Sequence, residues 1–137
     1  MRLVSLSDRL LEPALFEAAV EHDAAGARAV FCGVVRSHDL GRDVRELEYV
    51  AYPSAQAVLA QIAERFAAEP DVTALAVGHR VGLLAVGDVA LVAVVATAHR
   101  RAAFDACARL VDEVKEHLPV WKRQVFADGT DEWVNCP

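Results

Sequence analysis

The chain has 137 residues, 55% of them hydrophobic, and a formal net charge of −6. This length fits one domain with a core of its own, and the hydrophobic content excludes a disordered chain. An acidic chain is a poor general binder of nucleic acid or anionic membranes, because both require clustered cations. Six of the 14 basic residues nevertheless fall between His99 and Arg123. Such a local cluster suits a small anionic ligand better than a polymer.

The three cysteines indicate neither a disulfide framework nor a zinc site, because their number is odd and no CxxC spacing occurs. Cys32 and Cys107 fall in apolar segments and are predicted to be buried core residues. The first residues lack the pattern of a secretory signal. The longest apolar run, 89–98, is far short of the ~20 residues of a membrane helix, so we expect the cytoplasm.

The first half of the chain predicts three strands and one helix. The helix begins near Pro13, which suits a first helical turn, and ends before Gly26. The polar segment RSHDLGRD at 36–43 contains a glycine and predicts a flexible loop. Strands are expected where apolar residues alternate or run together. These strands are 2–6, 27–35 and 44–51.

The second half predicts two helices and four strands. One helix opens at Pro53 and Ser54 and closes at Pro70, and the other covers 100–117 before Pro119 stops it. The strands are expected at 72–77, 81–86, 89–96 and 120–126. The run 89–96 is nearly all apolar and predicts the centre of a sheet. The resulting fold class is α+β, a mixed, mostly antiparallel sheet with about three packed helices in a single domain spanning 1–137.

The segment ATAHRRAAF at 96–104 marks the start of the last helix, at His99 and Arg100. Free backbone N–H groups and the positive end of the helix dipole meet there, so the two side chains would complete an anion site. The alternative is that Arg100 and Arg101 are solvated residues of a first helical turn.

The segment KEHLPVWKRQ at 115–124 contains Lys115, at the end of that helix, and Lys122, on the following strand. A lysine beside other cations can have its pKa lowered, which would suit acid–base or nucleophilic chemistry. The alternative is that both are ordinary surface residues, because lysines favour helix C-termini and solvated strand faces.

The segment FCGVVRSHDLG at 31–41 places Arg36 where a strand ends and a loop follows. Such an arginine can bind a ligand as the loop closes, or it can be an ordinary surface residue. The histidines show no metal-ligand spacing, and no phosphate-binding glycine loop is present. The sequence therefore signals no metal and no other cofactor.

Taken together, these segments resemble the large, catalytic subunit of the molybdopterin synthase family. The matching pieces are FCGVVR at 31–36, LEYVAYPSA at 47–55, HRVGLLAVGD at 79–88, TAHRRAAFDAC at 97–107 and VKEHLPVWKRQ at 114–124. The resemblance implies a hammerhead-like α+β fold and a sulfurtransferase that converts cyclic pyranopterin monophosphate into molybdopterin. It also implies a small ubiquitin-like partner whose C-terminal thiocarboxylate supplies the two sulfurs, and a heterotetramer built on a central dimer of large subunits.

The resemblance also assigns roles to individual residues. Lys115 would be the main catalytic lysine and Lys122 its companion. The remaining positions would bind substrate: Arg36, His99, Arg100 and Arg123, with Val34, Val35 and Gln124 at the edges. The family often has a basic residue at position 34 and an acid at position 124, so Val34 and Gln124 supply no charge where the family does.

Two other functions fit the residues alone. The lack of a nucleophile–base pair favours a non-catalytic module that binds a phosphorylated metabolite or a partner's carboxylate tail. A phosphate-ester hydrolase has less support, because neither a metal cluster nor an obvious nucleophile is present.

Overall fold

The computed structural model describes residues 3–39 and 41–136, which form three helices and nine strands. The helices are α1 (Pro13–Ala19), α2 (Ala55–Ala67) and α3 (Arg100–His117). The strands are β1 (Leu3–Ser7), β2 (Ala27–Val34), β3 (His38–Asp39), β4 (Arg42–Ala51), β5 (Val72–Arg80), β6 (Gly82–Ala85), β7 (Val89–Thr97), β8 (Val120–Phe126) and β9 (Asp131–Cys136). The predicted α+β class is confirmed, with three helices and mostly antiparallel pairing.

The first sheet has the strand order β1-β5-β7-β2. Only β1 and β5 run parallel, and the other pairs are antiparallel. Strand β7 lies inside the sheet and is buried along nearly its whole length, as its apolar sequence predicts. Helices α2 and α3 cover one face with Leu59 and Leu110, while α1 covers part of the other with Phe16.

The approach of α1 to the sheet requires a glycine on β5. A Cβ atom on Gly78 would lie 2.5 Å from Cζ of Phe16, closer than two carbon atoms can pack. The Phe16 ring therefore rests directly on the backbone of β5, and this contact holds the short helix against the sheet.

The second sheet runs in the order β3-β4-β8-β9, and β6 also pairs with β4. Helix α3 leads into this sheet. Leu118 has an extended backbone (φ −68°, ψ 120°), as expected of the residue before a proline, and β8 begins at Val120. The turn at Pro119 therefore brings the end of α3 and the start of β8 to the junction of the two sheets.

The structure corrects several details predicted from the sequence. Strand β5 continues to Arg80 rather than ending at 77, and β3 and β9 are additional strands. The segment 36–43, predicted as a loop, contains β3 and the start of β4, and Leu40 within it lies outside the described residues. No described helix is long and apolar enough to cross a membrane.

Cys32 was predicted to be buried and is exposed, whereas Cys107 is buried as predicted. The reason is the position of β2 at the edge of the first sheet. Alternate residues of β2 point to opposite faces, so Ala29 packs beneath the helices while Val30 and Cys32 lie on the other face, beyond the cover of α1.

Candidate active site

A cavity of about 210 Å³ opens where the two sheets meet the C-terminal end of α3. Its walls come from the ends of β2, β5 and β7, from α3, and from the facing strands β4 and β8. Of the nine predicted site residues, six line this cavity: Val34, Val35, Arg36, Lys115, Lys122 and Gln124.

Both lysines of the chain belong to this cavity. The sequence contains no lysine other than Lys115 and Lys122, and both line its wall. Lys115 comes from the last turn of α3, and Lys122 stands opposite Tyr49 in the pairing of β8 with β4. Neither ammonium group forms an ion pair with a carboxylate of the described residues. Two cations without such a partner in one cavity favour binding of an anion.

Arg36 lies at the mouth of the cavity on the segment between β2 and β3. Its guanidinium Nη2 is 3.4 Å from Oδ1 of Asp39, and its side chain is 77% exposed. Across the β3–β4 hairpin, Nε2 of His38 is 2.8 Å from Oδ1 of Asp43. Exposed ion pairs of this kind are weak, so an arriving anion can displace Asp39 from Arg36 at little cost.

His79 forms part of the inner wall and is almost fully buried. Its Nδ1 lies 2.8 Å from the carbonyl oxygen of Arg80, so this nitrogen carries the proton and donates. Burial lowers the pKa of His79 to about 4, and the charge of Lys115 adds to the effect. The ring of Tyr49 stands edge-on to the imidazole, with 4.8 Å between ring centroids.

Gln124 and the two predicted valines belong to the uncharged part of the lining. Gln124 is 4% exposed, opposite Leu47 on β4, while Val35 is buried and Val34 half-exposed. With an amide at position 124, the acidic side chain of the lining is Asp39, which already pairs with Arg36. The cavity therefore keeps an excess of positive charge in a protein whose net charge is negative.

His99 and Arg100 do not line this cavity. They lie at the N-terminus of α3, whereas Lys115 lies near its C-terminus. Lys115 follows Arg100 by fifteen positions, which corresponds to about 22 Å along a helix. Both side chains are exposed. One copy of the chain therefore brings together only part of the predicted anion site.

Arg123 also lies outside the cavity, because alternate residues of β8 point to opposite faces of the sheet. Its guanidinium group is 3.1 Å from Glu48 and 3.0 Å from Asp131, and it stacks over Trp133. These contacts join β4, β8 and β9. Within one chain Arg123 therefore pairs with these carboxylates and does not line the cavity, contrary to the expectation from the resemblance.

Sequence reasoning missed His79 and Tyr49 as cavity residues. The predicted strand ended at residue 77, which left His79 in a turn, whereas β5 carries it to the junction of the sheets. A signal was available, since a single histidine follows the apolar run LAVG. Tyr49 lies two residues after Leu47 on β4, so both side chains are on the same face of the strand. That face lines the cavity, and the spacing of the two residues could have predicted it.

The known proteins that resemble this chain belong to one family. A family model described as MoaE protein matches residues 6–117. The molybdopterin synthase catalytic subunit of Pyrococcus abyssi is 41% identical over 122 residues, which span 85% of this chain and 79% of that protein. Its counterpart in Bacillus subtilis is 36% identical over 116 residues, covering 84% and 73%. The crystal structure of molybdopterin synthase from Staphylococcus aureus superposes with a TM-score of 0.86 at 29% identity, covering 94% of each chain. The chain therefore belongs to the MoaE protein family.

Proposed function

We propose that the chain is the catalytic subunit of a molybdopterin synthase, a sulfurtransferase of molybdenum cofactor biosynthesis. The observation that carries this proposal is the convergence of Arg36 and both lysines on one cavity. The relatives named as molybdopterin synthase catalytic subunits support the reaction class. The proposed substrate is cyclic pyranopterin monophosphate, whose anionic phosphate suits the excess of positive charge in the cavity.

The cavity supplies the groups that sulfur transfer requires. The thiocarboxylate sulfur on the C-terminal glycine of a partner bonds to a carbon of the substrate and displaces an oxygen substituent there. Water then attacks the acyl carbon, the acyl–sulfur bond breaks, the sulfur stays on the substrate and the glycine leaves as a carboxylate. Negative charge develops on the carbonyl oxygen during the attack of water, and a nearby cation stabilises it. Lys122 is proposed for this role, Lys115 for proton transfer at the pterin, and Arg36 for the phosphate.

The sulfur source is a separate small protein in this proposal. The relatives are named catalytic subunits, and such a name implies at least one other subunit in the enzyme. Neither described thiol suits the role of a sulfur carrier in the cavity. Cys107 is on the buried face of α3, against the carbonyl oxygen of Ala93, and Cys32 lies on the outer face of β2. The proposed assembly is a heterotetramer on a central dimer of this chain, and its proposed location is the cytoplasm.

A second copy of the chain would reconcile His99 and Arg100 with the site. Because about 22 Å of helix separates them from Lys115 in one chain, both ends of α3 contribute to one site only if two copies combine. The volume of about 210 Å³ within one copy is also below the roughly 300–1,000 Å³ of most ligand clefts. We therefore propose that His99 and Arg100 of one copy complete the cavity of the other.

Mixing two inactive variants tests the composite site. Lys115→Ala and Arg100→Ala each remove one half of it, and a mixed dimer retains one intact site that uses the unaltered half of each copy. With random exchange of subunits, activity returns to at most a quarter of the wild-type value. If both variants are inactive alone and the exchanged mixture is also inactive, the two groups do not belong to sites shared between copies.

Reconstitution separates the synthase from a binding module. The chain is mixed with thiocarboxylated small subunit and cyclic pyranopterin monophosphate, and molybdopterin is measured together with the thiocarboxylate consumed. We expect two thiocarboxylates to be consumed for each molybdopterin, and no product from the carboxylate form of the partner. If both ligands bind but no dithiolene forms, the chain is a binding module instead.

A further inference from the structure

His79 is the buried titratable group of the cavity that the proposed mechanism leaves without a role. It is 5% exposed, although it is part of the cavity wall. The hydrogen bond from Nδ1 to the carbonyl oxygen of Arg80 determines which nitrogen carries the proton. Nε2 is therefore left as an acceptor, and the hydrogen bond at Nδ1 is the one that the described residues show for this ring.

The surroundings of His79 contain a donor in need of an acceptor. Lys115 shares the cavity wall, and its charge contributes to the low pKa of His79, so the two groups interact. The lysine has no carboxylate partner in the described part of the chain. The acidic group of the cavity lining, Asp39, already pairs with Arg36. No hydrogen bond joins the two groups in the described part of the chain, and rotation about the bonds of the four-carbon lysine stem would bring the ammonium group toward Nε2.

Proton transfer to His79 is not a plausible role. With a pKa of about 4, the ring is protonated in roughly one molecule in a thousand at pH 7. It therefore stays uncharged while accepting a hydrogen bond. An uncharged acceptor can orient an ammonium group without cancelling the positive charge that binds the substrate, as a carboxylate would.

We propose that His79 is a positioning residue for Lys115: Nε2 of the uncharged ring accepts a hydrogen bond from the lysine ammonium group and holds that group inside the cavity. The catalytic consequence rests on the function proposed for Lys115. The hydrogen bond itself can be tested on the chain alone. Tyr49 packs edge-on against the imidazole ring of His79 and restricts the plane of that ring, so that the lone pair of Nε2 points in a defined direction.

Nitrogen NMR of the imidazole ring tests the hydrogen bond without substrate or partner. In a long-range ¹H–¹⁵N spectrum at pH 7, we expect Nδ1 of His79 to be protonated and Nε2 unprotonated. Lys115→Met should shift the Nε2 resonance to higher frequency and leave Nδ1 unchanged, while the matched control Lys122→Met shifts neither. A protonated Nε2, or an Nε2 resonance indifferent to Lys115→Met, would overturn the proposal.

Two substitutions of His79 test its effect on catalysis in the reconstituted synthase. The amide nitrogen of His79→Asn can still donate to Arg80 but ends short of Nε2, whereas His79→Gln extends an amide oxygen toward that position. We expect His79→Asn to lower kcat about tenfold or more with little change in KM, since misplacement of a catalytic group acts on the chemical step. His79→Gln should recover most of this loss.

Thermal unfolding of His79→Asn and His79→Gln tests whether the role of His79 is only structural. The positioning role would be contradicted if both variants lost the same kcat and the same melting temperature. It would also be contradicted if His79→Asn kept the wild-type kcat. If the wild-type chain makes no molybdopterin at all, the proposed function fails instead, and the NMR measurement still decides whether His79 holds Lys115.

Discussion

Replacing His79 by asparagine is expected to remove a pH dependence from the stability of the fold. The folded chain holds the pKa of this buried ring at about 4, whereas the ordinary value is 6.5. As the pH falls, the unfolded chain therefore takes up the proton first. The stabilisation is complete above pH 6.5 and is progressively lost down to about pH 4.

The size of the effect follows from the same pKa values. One pKa unit corresponds to about 1.4 kcal/mol, so full protonation costs the native state roughly 3 kcal/mol. Between pH 7 and pH 5 the loss is roughly 2 kcal/mol, because the folded ring is still mostly uncharged at pH 5. Burial causes most of the lowered pKa, and Lys115 on α3 adds to it.

Urea unfolding of the wild type and of His79→Asn at pH 7, 6 and 5 measures this difference. The other histidines are present in both proteins, so their contributions cancel. We expect the wild type to lose roughly 2 kcal/mol more than the variant between pH 7 and pH 5. Parallel pH profiles for the two proteins would refute the assignment of a buried, uncharged imidazole.

Three further predictions concern packing, exposure and surface charge. Gly78→Ala should destabilise the chain by about 1–3 kcal/mol in urea, because the new Cβ would lie 2.5 Å from Phe16, and an unchanged midpoint would contradict that contact. A thiol reagent should label Cys32 in the native chain much faster than Cys107, which is buried and has its pKa raised to about 11; equal rates in peptide mass spectra would disprove this. Arg109 contacts both carboxylate oxygens of Glu69, but the pair is exposed, so Arg109→Gln should lower the free energy of unfolding by less than about 1 kcal/mol, and by still less in high salt. A larger loss of stability that does not depend on salt would contradict this expectation.

The fold class followed from patterns that act locally. Apolar periodicity predicted α3 at its observed bounds, and the continuous apolar run predicted β7 inside a sheet. The position of a strand within its sheet depends on residues that are distant in sequence, and the incorrect predictions depended on that position. Cys32 has apolar neighbours in sequence, yet it is exposed because β2 lies at an edge. Strand β9 was missed because its pairing with β8, rather than its own pattern, defines it.

The candidate site divided in the same way. The sequence placed Arg36, Lys115 and Lys122 at the ends of elements, and the fold brings those ends together at one cavity. The prediction for Arg123 was wrong because it is adjacent to Lys122 in sequence but lies on the opposite face of β8. Lys122 lines the cavity, and Arg123 points away from it. The length of α3 separates His99 and Arg100 from the lysines, a distance that was implicit in the predicted helix.

Single-turnover sulfur transfer by lysine variants tests the central claim, that this cavity is where the reaction occurs. Thiocarboxylated small subunit and cyclic pyranopterin monophosphate are mixed with the wild type, Lys115→Ala, Lys122→Ala or the control Arg65→Ala, which removes a cation from outside the cavity wall. Binding of the partner is measured in parallel. We predict that Lys115→Ala lowers the rate at least about a hundredfold while still binding the partner, and that Arg65→Ala reacts at the wild-type rate. Molybdopterin formation at the wild-type rate by Lys115→Ala would contradict the account.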